Sequence, residues 1–161
     1  MFPRNWSEEL IAEWYELNGY FVETGAPLLS GSKGGRAEID ILAVRDNEIV
    51  HIEVGVLGAN PDKNLELMKK KFSPGRKRAV EGHVQKKLNI QNTRYSCRYI
   101  ASWISQKSLN FLREEGYRVD RLEDVIRDEI IPGIDAWKKS NPTNAKYIST
   151  ITPPQNLWLI C

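Results

Sequence analysis

Residues 37–56 read AEIDILAV (37–44), RDNE (45–48) and IVHIEVGV (49–56). Two apolar runs flank a short Asp-Asn connection, and Asp and Asn tolerate the left-handed backbone that tight hairpins need. With Asp46 and Asn47 as the loop, Arg45 faces Glu48, Val44 faces Ile49, Leu42 faces His51 and Asp40 faces Glu53. Two carboxylates then sit side by side with Cβ atoms roughly 5 Å apart. Like charges in that position repel unless something cationic lies between them. A hard divalent ion is the natural candidate, because Mg²⁺ prefers oxygen ligands and often takes one or two carboxylates.

Working outward, residues 7–18 predict a helix: Leu10, Ile11, Trp14 and Leu17 form an apolar stripe, Asn5 or Ser7 caps its start, and Gly19 stops it. Glu8 shares a side with Ile11, Ala12 and Tyr15, while Glu9, Glu13 and Glu16 fall on the solvated face. Tyr20 to Leu29 reads as a first short strand, followed by a Gly-rich loop, SGSKGGR (30–36). Beyond the hairpin, helices are expected at 64–72 and 76–88, a strand at 94–104, and a helix from the Ser105 cap to Gly116. A brief strand is expected at 118–119, and an amphipathic helix near 122–130 is expected to break at Pro132-Gly133. Leu157-Trp158-Leu159-Ile160 reads as a tail docked on the body. The order implies an α/β fold with a central mixed sheet flanked by helices, an αβββαβ core over about 7–116, and a C-terminal helical extension over about 117–161. One domain spans 1–161.

The chain has 161 residues, with 23 Lys and Arg against 21 Asp and Glu, so a net charge of +2 names no partner. Its distribution says more. Lys69, Lys70, Lys71, Arg76, Lys77 and Arg78 form a basic stretch without an acid among them, which allows one face to attract a polyanion. A solvated helix face is the plainer reading of such a run. Cys97 and Cys161 have neither metal-ligand spacing nor a disulfide pattern. MFPRNWSEEL (1–10) lacks a signal-peptide pattern and no apolar run is long enough for a bilayer, so a cytoplasmic protein without membrane contact is expected.

A helix glutamate (Glu8), a Gly-aromatic pair (Gly19-Tyr20), Glu38-Ile39-Asp40 and Ile52-Glu53-Val54 resemble, in order and spacing, the PD-(D/E)xK nuclease superfamily. The likeness is closest to the branch of Mrr-type restriction enzymes and archaeal Holliday junction resolvases, and covers about residues 7–116. The combination carries it; each piece alone recurs widely. The resemblance implies a restriction-endonuclease-like fold and a Mg²⁺- or Mn²⁺-dependent endonuclease, a phosphodiester hydrolase. The expected metal ligands are Asp40, Glu53 and the Val54 carbonyl, with Glu8 acting directly or through water. It further implies a DNA partner, double-stranded or branched, and a homodimer. Lys33, Arg36, Lys69, Lys70, Lys71, Arg76, Lys77 and Arg78 are the expected phosphate contacts, which are sequence-independent and salt-sensitive.

One position departs from the pattern. The family carries lysine two residues after the glutamate; here that residue is Gly55. Losing one preorganised donor of this kind typically costs about 10²–10³ in rate. Lys33 from the Gly-rich loop and Lys86 or Lys87 from the helix after the hairpin are the expected substitutes. His51 shares the Glu53 face and reads better as a structural side chain than as a base. Glu38 reads as a solvated acid, and His83 as a helix-face residue. The rival reading, which Gly55 supports, is a catalytically inactive nuclease-fold module that binds nucleic acid or a protein partner.

Overall fold

Asp46 adopts φ 52° at the hairpin tip, the left-handed conformation that Asp and Asn reach at least cost. The structure, a computed structural model, describes residues 5–28 and 37–142. The hairpin strands are β2 (Ala37–Arg45) and β3 (Glu48–Val56). Their register runs Arg45–Glu48, Val44–Ile49, Leu42–His51 and Ile41–Ile52, as the turn chemistry dictates. Before them come α1 (Trp6–Leu17) and β1 (Phe21–Leu28); after them come α2 (Pro61–Lys71), α3 (Pro74–Leu88), β4 (Arg94–Trp103), α4 (Gln106–Glu114) and β5 (Val119–Arg121). The chain continues through α5 (Leu122–Val125), a π-turn at Ile126–Ile130 and α6 (Ile131–Ser140).

The sheet order is β1-β2-β3-β4-β5. β1, β2 and β3 are antiparallel, whereas β3, β4 and β5 are parallel, so α2 and α3 form the crossover from β3 to β4. Alternation divides the side chains between two faces. Ile41, Ala43, Val50, Ile52, Val54 and Ile100 pack with Leu10, Ile11 and Trp14 of α1 and with Val125, Ile130 and Ile134. Leu42, Val44 and Ile49 meet Val80 and Val84 of α3, while Tyr99 and Ala101 meet Met68 of α2 and Leu109 and Leu112 of α4. Full burial of each large aliphatic side chain contributes about 1.5–3 kcal/mol.

Two helices start earlier than periodicity suggests. Pro61 and Pro74 occupy their first turns, where no N–H is needed, and the Asn60 and Ser73 side chains cap them. The expected break at Pro132-Gly133 does not occur. Pro132 lies in the first turn of α6, the π-turn precedes it, and Gly133 admits the Trp14 ring, whose Cη2 lies 2.1 Å from where a Cβ would stand. The expected docking of Leu157–Ile160 lies outside the described residues. No helix among the described residues is long and apolar enough to cross a membrane.

Candidate functional site

The β2–β3 ladder ends at Ile41–Ile52, and one further step along the same register sets Asp40 across from Glu53. There a side chain closes the ladder: Asp40 Oδ2 accepts the Val54 N–H at 2.9 Å. The N–H and C=O of one strand residue point to the same side, so the Val54 carbonyl faces the same gap. Glu53 is fully buried. A buried carboxylate needs cationic or hydrogen-bonding partners, and the chain supplies three. His51 Nε2 lies 2.8 Å from Oε1, Lys71 Nζ lies 2.5 Å from Oε2, and Arg76 Nη1 lies 3.6 Å from Oε1. The cation that the sequence reading sought beside the acidic pair is thus present at Glu53 as Lys71, at the C-terminal end of α2.

His51 is as buried as Glu53 and is fixed at both nitrogens, with Nδ1 lying 2.7 Å from the Tyr95 hydroxyl. A carboxylate only accepts, so Nε2–H donates to Glu53 and Nδ1 accepts from the Tyr95 O–H. Burial first, then nearby negative charge, pushes the Tyr95 phenol up, which keeps it a donor. The Phe72 ring packs edge-on against the imidazole at 5.0 Å.

The two carboxylates titrate in opposite directions. Burial raises the Glu53 pKa, but hydrogen bonds from His51 and Lys71 overcome it and hold the group below the ordinary value. Asp40 is pushed up to about 6, by burial first and then by the Glu53 charge, with a smaller push from Glu8. Among the described residues Asp40 has no ion-pair partner of its own. Since the folded state binds its proton more tightly than the unfolded chain, ionising Asp40 costs stability as pH rises from about 4 to about 6. Asp40→Asn, which keeps an oxygen for the Val54 N–H, is therefore expected to be more stable than the native chain at pH 7.5. The gain is about 1–2 kcal/mol after allowing for screening of a half-buried group, read by urea unfolding, and it disappears below pH 4.

Glu8, half-buried in the first turn of α1, is close enough for its charge to act on Asp40. Glu38 is exposed. Lys33 and Arg36 lie outside the described residues. Lys86, expected as a substitute lysine, is exposed on α3 two residues past the buried Val84, turned from the sheet. Lys87 pairs instead with Glu23 at 2.9 Å, beside His83 at 3.0 Å. The basic stretch divides. Lys71 and Arg76 turn inward to Glu53, with Arg76 also donating to the Glu38 carbonyl at 3.2 Å, and Lys77 lies over the Tyr95 ring at 5.6 Å. Lys69, Lys70, Lys77 and Arg78 remain exposed. Among the described residues no three His, Cys, Asp or Glu side chains gather as a ready-made metal site.

No family model and no curated protein matches this chain. A solved structure titled a protein of unknown function, AF1548, is similar over 77% of this chain, with a TM-score of 0.50 and 16% identity. That similarity shows a shared fold. The chain spans 59% of the length of AF1548.

Proposed function

We propose that this chain is a metal-dependent endonuclease that hydrolyses DNA phosphodiester bonds, with a restriction-endonuclease-like fold in which Lys71 of α2 replaces the lysine absent at Gly55. One observation carries the reading: the Lys71 ammonium reaches Glu53 at 2.5 Å on the sheet face that holds the acidic pair. The strand order, antiparallel through β3 and parallel beyond it, supports the fold. Asp40 and Glu53 offer only oxygen donors, and the raised Asp40 pKa marks a carboxylate short of positive charge; both suit Mg²⁺ or Mn²⁺. Asp40, Glu53 and the Val54 carbonyl would hold the ion, with Glu8 beside them. When bound, the ion polarises the phosphate and lowers the pKa of a water. Lys71 then donates to charge developing on the phosphoryl oxygens, His51 and Tyr95 keep Glu53 in place, and Lys69, Lys70, Lys77 and Arg78 grip the DNA backbone.

A specific observation favours the inactive binding module as the second reading: Glu53 is already neutralised from within the chain by Lys71, His51 and Arg76. Nicking of supercoiled plasmid separates the two. The endonuclease reading expects cutting that needs Mg²⁺ or Mn²⁺ and is lost in Asp40→Asn, the variant expected to be the more stable protein. Salt-sensitive DNA binding without cutting, unchanged in Asp40→Asn, supports the binder and rejects the enzyme.

A further inference from the structure

Tyr99 of β4 is the direct register partner of Glu53 on β3. Its ring is buried among Leu57, Met68, Ala101 and Leu109 and leans towards the carboxyl end of β3. The hydroxyl ends over Gly55, 2.7 Å from where a Cβ on that residue would stand, whereas Cζ is 3.7 Å away. The first distance is an overlap and the second an ordinary contact, so it is the hydroxyl that must shift to admit a side chain at position 55. Among the described residues this hydroxyl donates to no acceptor. A phenol keeps its proton at neutral pH, so this hydroxyl remains a donor.

We infer that Tyr99 fills the slot left by the missing strand lysine, and that its hydroxyl donates a hydrogen bond to a phosphate oxygen of the substrate held at the Asp40–Glu53 pair. The phosphate contact rests on the endonuclease reading; the filling of the slot does not. Gly55 is then a consequence of Tyr99 rather than a simple loss, and a lysine at 55 would collide with the hydroxyl before it reached the site.

The test is a cycle of the native chain, Gly55→Ala, Tyr99→Phe and the double variant, followed by thermal melting and plasmid nicking in Mg²⁺. Gly55→Ala alone is expected to lower the melting temperature by about 3–8 °C, as for an overpacked, half-buried position in a domain of this size. In the Tyr99→Phe background the same change is expected to cost almost nothing. Tyr99→Phe alone is expected to lower kcat by about 10²–10³-fold, with KM within about twofold, as for removal of one donor to a developing charge. Additive melting shifts overturn the slot assignment. Coupled shifts with native kcat in Tyr99→Phe overturn the phosphate contact and leave the hydroxyl as filler. A native chain that cuts nothing in Mg²⁺ or Mn²⁺ overturns the phosphate contact together with the endonuclease reading, while the melting cycle still decides the slot.

Discussion

Lys71→Met is expected to lower Mg²⁺-dependent plasmid nicking by about 10²–10³-fold while leaving DNA affinity nearly unchanged. Lys71 is positioned for this. Met68, fully buried one turn earlier, anchors the end of α2, and the Asn60 cap fixes its beginning. The Lys71 stem then crosses to Glu53 with its side chain still 29% exposed, which leaves room for a substrate to approach. On the proposed reading DNA is held by Lys69, Lys70, Lys77 and Arg78, which are exposed, so a loss of cutting without a loss of binding separates catalysis from attraction. The same substitution removes one of three polar partners from a buried carboxylate and is expected to cost about 1–3 kcal/mol at pH 7. The sign follows from Glu53, whose folded pKa lies below its ordinary value. Its stabilisation is present above about pH 4.5 and is lost as pH falls through the folded pKa, so the gap between native and variant closes in acid. Nicking by Lys71→Met at the native rate would remove Lys71 from the reaction.

Arg98→Met is expected to destabilise the protein by about 3–5 kcal/mol in urea unfolding and to leave the Asp40–Glu53 geometry intact. Arg98 sits on the face opposite that pair, only 3% exposed, at the start of the buried stretch Arg98–Ala101 of β4. Its guanidinium donates to Asp120 at 2.8 Å, to Glu129 at 2.7 and 3.2 Å, and to the Tyr15 hydroxyl at 3.3 Å. Glu129 also accepts the Trp14 indole N–H at 2.9 Å. One side chain thus ties α1, β4, β5 and the π-turn together. Burial disfavours its charge, but the hydrogen bonds it donates to Glu129 and Tyr15 more than offset that and raise its pKa. Removing it leaves Glu129 without its ion-pair partner on β4 and opens a gap where the buried guanidinium stood, while Asp120 keeps Arg113 at 3.2 Å and Arg118 at 3.7 Å. A loss under about 1 kcal/mol would mean that solvent reaches Glu129 and Asp120 freely.

The hairpin was legible because turn chemistry and two-residue alternation agree, and Asp46, Arg45 and Glu48 stand where they predict. The α1 stripe was legible for the same reason: Leu10, Ile11 and Trp14 repeat at helical spacing and are buried. The lysine was not. A run such as Lys69–Arg78 reads as solvated because local sequence cannot say which long stems bend inward, as Lys71 does while Lys86 faces solvent. His51 was legible as structural, but its grip on Glu53 and Tyr95 needed β4, which is distant in sequence. The Tyr99–Gly55 overlap has the same character, since it depends on the parallel register of β3 and β4. Arg98 carried a usable signal, a lone cation amid Tyr95–Trp103, where a buried charge implies acids opposite it.

The most direct measurement is anomalous diffraction from crystals soaked in millimolar Mn²⁺. The account expects a single peak between Asp40 and Glu53, about 2.0–2.3 Å from an oxygen of each, with the Lys71 ammonium displaced from Glu53 Oε2. No peak there, with Lys71 still bonded to Glu53, would make lysine the permanent cation of this pair and contradict a metal-dependent nuclease.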